Sequence, residues 1–435
     1  MKLSGKTFFF FLIAIVGIWV SSNISWGKDK WKGILESDAR GYYAYLPATI
    51  IYHDLNLGFF DSIEGKKYYD PHYYYDYRVT VNGHLMNKYW CGTSICELPF
   101  FLIAHITTTL NDDHLADGYS KLYPIFINLA AIFYLMFGIF FLEKLLLLYG
   151  VDKNKRLITI SFIFLATNLF YYALIEPGMT HVYSFAWISF FLYHAKKLVI
   201  SASRKSLLLV SLSLGIIFLI RPQNIIVVLL FPFLAGSFTH LSGFLKSFAH
   251  QKTNFSIGAV VFVIIIFIQL LLNKLSCNSF FADTYPGESF NFLQPHFVDI
   301  LFSYRKGLFL YTPFYLVCFG GFYYLYKQNS KWESFSLALF LIALIYLLSS
   351  WHNWWYGGSF SSRVFVDYLP LFALLFGLLI QNITMISRRI LLGISIVLVF
   401  FCQMQIYQYR YNQITWDGMT KERYWDVFLR LDRIK

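Results

Sequence analysis

Two carboxylates with one residue between them, Glu36-Ser37-Asp38, stand at the head of an aromatic amphipathic stretch that runs through Tyr42 to Pro47. A carboxylate in that place can take the proton of an acceptor hydroxyl, so Asp38 is a candidate general base. The plainer alternative is that Asp38 caps a helix starting near Ala39. Glu36 and Tyr42 are candidates to hold a sugar or an acceptor. A second cluster, Asp70-Pro71-His72 with Asp76 in a run of tyrosines, could hold a divalent metal, although its spacing is unspecific. Tyrosines there can stack on sugar faces or simply populate an interfacial belt.

Cations recur at intervals that suit a phosphate. Lys88 lies in Lys88-Tyr89-Trp90-Cys91-Gly92, Arg221 in Arg221-Pro222-Gln223-Asn224, and Arg305 in Tyr304-Arg305-Lys306-Gly307. Arg363 closes the turn Trp354-Trp355-Tyr356-Gly357-Gly358 and its serine-rich continuation. A guanidinium matches phosphate or carboxylate geometry, whereas a lysine near an interface can equally be snorkelling. Trp354 is the candidate sugar platform of its turn, and Glu288, in Thr284-Tyr285-Pro286-Gly287-Glu288, is another sugar or acceptor contact. Glu176 and His181 bracket the short turn Glu176-Pro177-Gly178-Met179-Thr180-His181. Glu176 is a second catalytic candidate or a helix cap, and His181 an acceptor contact.

The elements that must position these groups are hydrocarbon-spanning helices. The 435 residues are 57% hydrophobic and only 14% charged, against about 25% charged for soluble domains. Spans are expected at 8–22, 121–148, 157–175, 181–199, 206–220, 223–239, 255–273, 308–326, 334–350, 365–382 and 390–408, about eleven by the ~20-residue criterion. The fold class is an all-α polytopic membrane protein in one domain, 1–435. The first span lacks a cleavage signature and reads as a retained anchor.

The net charge of +12 is distributed as the positive-inside rule requires. With Lys2 and Lys6 cytoplasmic, the later inside loops and their flanking span ends hold Lys144, Lys153, Lys155 and Arg156; Lys196, Lys197, Arg204 and Lys205; Lys246 and Lys252; Lys327 and Lys331; Arg388 and Arg389. The segment 96–110 would invert that order if it crossed, so it is expected to lie in the outer interface. Residues 23–120 then form one long outside loop with interfacial helices, 274–307 a second, and 409–435 an outside tail. No Lys/Arg-rich recognition segment appears, which excludes nucleic acid as the reason for the charge. Cys318 and Cys402 fall inside spans. Cys91, Cys96 and Cys277 could form a disulfide or remain free thiols.

These elements resemble the GT-C superfamily of membrane glycosyltransferases, near its protein-mannosyltransferase-like, polyprenyl-phosphate-sugar-dependent branch. The resemblance rests on the early acidic loop around Asp38, the Lys88–Gly92 stretch followed by an interfacial helix with Pro99, the 176–181 turn, and the Trp354–Gly358 turn leading to Arg363. The chain departs from it in having Trp90-Cys91 where many relatives carry paired prolines, and Ser37 between the loop acids. The resemblance implies a lipid-linked sugar as donor, Asp38 activating the acceptor, and Arg363, Arg305 or Lys88 neutralising the departing phosphate, with a divalent metal left open. It implies a bacterial inner membrane with the site facing the periplasm or exterior, and a role in cell-envelope polysaccharide or glycolipid synthesis. An O-antigen polymerase or ligase shares the long outside loops. A transporter would place its polar groups near midplane, within spans that here are almost free of charge.

Overall fold

A computed structural model describes residues 5–432 except 112, 251 and 330; Lys2 and Asp112 therefore lie outside the described residues. The principal helices are α1 (Gly5–Ser25), α2 (Asp38–Ile50), α3 (Gly92–Thr109), α4 (Leu122–Leu148), α5 (Lys153–Leu165), α6 (Thr180–Ser201) and α7 (Arg204–Ile220). They continue with α8 (Lys252–Cys277), α9 (Lys331–Ser349), α10 (Leu369–Asn382), α11 (Met385–Arg410) and α12 (Lys421–Val427).

Among the described residues six helical segments are long and apolar enough to cross a membrane: α1, α4, α8, α9, α11 and the run Arg363–Asn382 that ends in α10. A bent pair, Pro222–Ala235 with Phe238–Ser247 at 118°, raises the number to seven if it is one span. The other expected spans fall on shorter, more polar or broken helices, and each break has a local cause. In 157–175, α5 stops at Ala166 and the chain restarts as Leu169–Leu174, with the Leu169 N–H donating to the Thr167 hydroxyl at 3.2 Å. In 308–326, Pro313 and the Gly320-Gly321 pair divide the run into four-to-five-residue helices. In 223–239, Pro222, Pro232 and a left-handed Gly236 give a 3-10 turn, a short helix and the bend. The segment 181–199 lies on α6, which carries His181, His194, Lys196 and Lys197.

The chain is an integral membrane protein, and its apolar exposure shows why. Val260, Val263, Ile264 and Phe267 on α8, with Val397 and Phe400 on α11, are exposed. A face that apolar is stable only against lipid or another protein. The run Arg363–Asn382 is the opposite, being almost wholly buried. Around it, α6 packs against α4, α7 and the 3-10 turn Arg363–Tyr368. At one end the buried Glu143 of α4 accepts from Lys6 Nζ at 2.5 Å and Arg156 Nε at 2.8 Å, so basic residues of α1 and α5 meet there.

The region 23–120 is not a loose connection. α2 packs on α3, and α3 on α4 and α7. The one described sheet is a hairpin, β1 (Arg78–Val81) with β2 (His84–Asn87). Asn82 and Gly83 both have positive φ in the two-residue loop between them, the conformation an Asn-Gly pair adopts most readily. All five cysteines are buried and free.

Candidate functional site

Asp38 opens α2, yet its carboxylate does not cap the helix. Oδ2 accepts from Arg363 Nη2 at 2.7 Å and Oδ1 from the Tyr89 hydroxyl at 2.7 Å. The partners come from three distant parts of the sequence. Burial alone would push the carboxyl of Asp38 up. Arg363, the Tyr89 bond and the Lys88 charge outweigh that and hold it below its usual range. Asp38 is therefore ionised at neutral pH.

A cavity of about 1340 Å3 opens beside this pair. Seven residues singled out in the sequence line it: Asp38, Tyr42, Lys88, His181, Arg221, Glu288 and Arg363. Lys88 Nζ pairs with Glu288 and lies over the Tyr285 ring. His181 Nδ1 donates to the buried Asp367 at 2.8 Å, and the Asn224 amide donates to the other Asp367 oxygen at 2.7 Å. Arg221 Nη1 lies 3.2 Å from His181 Nδ1 and 3.5 Å from its Nε2, and Arg221 Nε is 3.8 Å from Asp367 Oδ2. The lining also has an apolar part: Ile225, Val228 and Leu229 of the 3-10 turn and Ala343 and Leu347 of α9.

Backbone strain gathers here too. Ser37, Tyr356 and Ser361 have φ of 52, 56 and 58°. Left-handed non-glycine residues cost roughly 1–3 kcal/mol each and survive where surrounding contacts over-determine them. Ser37 aims Asp38 at the head of α2, while Ser361 sets the approach to Arg363.

The remaining sequence candidates lie elsewhere. Arg305 does not line the cavity: its guanidinium forms a two-bond pair with Asp417 of the tail, at 2.7 and 2.9 Å, and lies 3.5 Å over the Trp355 ring. It fastens the tail. Trp354 is turned away, stacked on His296 at 5.6 Å, while Trp351 three residues earlier faces the cavity. Asp70 is half-buried and His72 exposed, and the Asp70 carboxylate accepts from the His72 backbone N–H at 3.0 Å. Among the described residues no group of three or more His, Cys, Asp or Glu is arranged to hold a metal ion.

Glu36 and Glu176 stand behind the Asp38–Arg363 pair and do not line the cavity either. Glu176 does not cap α6; its Oε1 accepts from the Tyr171 hydroxyl at 2.6 Å, and its buried Oε2 has no partner. Burial raises both carboxyls, and the charge of Glu176 raises Glu36 further. A carboxyl raised in the fold stabilises it at pH values below the ordinary glutamate range, and that stabilisation is lost as pH climbs through the raised value. The thermal midpoint of the purified protein is expected to fall as pH rises through neutrality. Glu176→Gln should flatten that dependence; an unchanged slope in the variant would remove Glu176 from the explanation.

Sequence reasoning missed Tyr89, Tyr285, Trp351, Lys306 and Asp367. Asp367 carried a usable signal, because an ionisable residue inside an apolar span marks a functional or paired site. Lys306 is buried and donates to the carbonyls of Ser359 and Trp416. Nothing in the sequence separated it from neighbouring Arg305.

No family model and no curated protein matches the chain. Solved structures do align with it. The archaeal oligosaccharyltransferase AglB from Archaeoglobus fulgidus, in complex with an inhibitory peptide and a dolichol-phosphate, aligns over 99% of this chain and 60% of its own, with a TM-score of 0.47 and 12% identity. The Archaeoglobus fulgidus oligosaccharyltransferase complex with Zn and sulfate aligns over 98% and 57%, with a TM-score of 0.47 and 12% identity. Its apo form aligns over 99% and 60%, at 0.46 and 12%. This chain spans about three fifths of the length of those proteins.

Proposed function

We propose that this chain is a GT-C-type membrane glycosyltransferase that moves a sugar from a polyprenyl-phosphate donor to an acceptor hydroxyl on the non-cytoplasmic face of a bacterial inner membrane. The observation that carries the reading is the lining of the cavity, which divides by chemistry. Carboxylates, three cations and aromatic rings share its wall with the aliphatic side chains of Ile225, Val228, Leu229, Ala343 and Leu347. A lipid-linked sugar has the same division: a tail soluble only in hydrocarbon, a phosphate, and a sugar head. Three cations, Lys88, Arg221 and Arg363, and two carboxylates, Asp38 and Glu288, line the wall. Arg221 also has the buried Asp367 carboxylate 3.8 Å from its Nε, so a phosphodiester would compete with carboxylates for these cations.

In this reading Asp38 accepts the acceptor's hydroxyl proton while that oxygen attacks the anomeric carbon. The bond from carbon to phosphate oxygen breaks, and its electron pair leaves with the polyprenyl phosphate. Attack opposite the leaving group inverts the anomeric centre. Arg363, Arg221 and Lys88 meet the charge that grows on the departing phosphate, and fixed cations in a water-poor site are the efficient way to stabilise it. Outward orientation follows from the basic inside loops, which put the 23–120 and 274–307 regions on the other face.

A structure of the protein soaked with a short synthetic polyprenyl-phosphate-hexose tests this directly. The phosphate is expected among Arg363, Lys88 and Arg221, with the tail running between the 222–230 turn and α9. A phosphate bound outside the cavity, or no binding at millimolar ligand, would overturn the reading.

A further inference from the structure

The Asp38 carboxylate has two partners, and only one of them is a cation of the sort a phosphate would claim. The other is Tyr89, whose seat is specific. Asp38 and Gly41 lie three residues apart on one face of α2. The Tyr89 ring lies across Gly41 so closely that a Cβ there would clash with its Cδ2. The ring also packs on Tyr42 at 4.6 Å between centroids. Its backbone is held as well: Tyr89 N–H donates to Asn87 Oδ1 at 3.0 Å, and its carbonyl accepts from the Tyr45 hydroxyl at 2.7 Å. With ring and backbone both fixed, the hydroxyl can reach little besides Asp38 Oδ1 and the Tyr75 hydroxyl, 3.0 Å away.

We propose that Tyr89, seated in the notch left by Gly41, is a positioning residue that fixes the orientation of the Asp38 carboxylate, so that Oδ2 is the oxygen presented to the acceptor once a donor phosphate draws Arg363 away. This deepens the glycosyltransferase reading and rests on it for the identity of the acceptor. The contact itself stands on geometry alone. Without Tyr89, a carboxylate released by Arg363 would rotate freely about its terminal bond, and only a fraction of its orientations would be productive.

The charged and titratable groups that face Asp38 are Arg363 from the turn before α10, Lys88, Tyr75 and Tyr89 from the first large loop, Tyr42 from α2 itself, Tyr285 from the second loop and Glu176 from the turn before α6. Tyr89 is the neutral donor in direct contact with the carboxylate. Its bond favours the ionised form, so removing it raises the pH at which Asp38 takes up a proton.

Difference infrared titration of the full-length protein in nanodiscs measures this without a substrate. The Asp38 carboxyl band is identified by its loss in Asp38→Asn. Tyr89→Phe keeps the ring in the Gly41 notch and deletes only the hydroxyl. It should move the midpoint of that band upward by on the order of one pH unit. Gly41→Ala, which displaces the ring, should give the same displacement, and Tyr75→Phe a smaller one. With a synthetic polyprenyl-phosphate-hexose as donor, Tyr89→Phe should lower kcat about tenfold and leave the donor KM unchanged. An unmoved infrared midpoint in Tyr89→Phe would overturn the positioning role even if Asp38 proves to be the base. Full activity in Asp38→Asn, alongside a moved midpoint, would overturn the glycosyltransferase assignment of Asp38 and leave the Tyr89 contact standing.

Discussion

Asp38→Asn is expected to lower sugar transfer by on the order of a thousandfold, within the range seen when a general base is removed. The amide is nearly isosteric, and its one oxygen can still accept from Arg363 while its NH2 faces the Tyr89 oxygen, so the cavity keeps its shape while losing the group that takes the proton. Arg363 is then left without its counter-charge in a site that is largely dry, and a modest loss of stability follows. Expression, membrane insertion and a thermal scan separate that loss from the loss of chemistry. Wild-type activity should fall on acidification as Asp38 protonates. Because Asp38 titrates below the usual carboxylate range, that fall begins only in acid, and activity is flat through neutrality as far as this group is concerned. Activity within tenfold of wild type in Asp38→Asn would transfer the role to another carboxylate, with Glu288 the next on the cavity wall.

Arg363→Ala carries the second large effect, and here the two kinetic constants decide what the residue does. It donates to Asp38 at 2.7 Å, its remaining contact is Nη1 to the Met179 sulfur at 3.6 Å, and its buried Nε has no partner. A guanidinium with unmet donors at the cavity wall is poised for an oxyanion. Removing it should lower kcat/KM for a polyprenyl-phosphate-hexose by roughly a hundredfold to a thousandfold, the range for loss of one strong donor to a developing charge. Stability should fall by about 3 kcal/mol as Asp38 loses its cation. Arg363→Lys restores the charge but not the planar fork and should recover only part of either quantity. A phosphate ligand predicts weakened donor binding in Arg363→Ala. If donor affinity is untouched and only kcat drops, Arg363 acts on Asp38 alone and the phosphate site must lie at Arg221 and Lys88.

The membrane character was legible because it depends on composition and run length, which are properties of the chain and not of its folding. α1, α4, α8, α9 and α11 fall where apolar runs of about twenty residues place them. The broken elements were harder to read. Runs 157–175 and 308–326 are apolar enough on average, but Thr167, Pro313 and the paired glycines redirect the backbone within them. Averaging over a window hides such local turn chemistry. Sequence reasoning did not single out the hairpin of β1 and β2, although Asn82-Gly83 is the pair that favours such a turn.

The candidate site divides in the same way. Asp38, Lys88, Arg221, Glu288 and Arg363 could be singled out because charged groups are expensive near hydrocarbon and therefore few. Arg305 and Trp354 satisfied the same rule and yet serve the tail and a ring stack. Residue type cannot tell a cation reserved for a ligand from one already claimed by Asp417. What the sequence by itself determined is the medium this protein lives in and the short roster of groups able to do chemistry there. Which of them share a cavity, that Tyr89 rather than a helix N–H meets Asp38, and that Glu36 and Glu176 sit behind the site were decided only by tertiary structure. Contacts across as many as 325 residues depend on how helices pack, and packing is set by shape at every interface at once, not by any local run of residues.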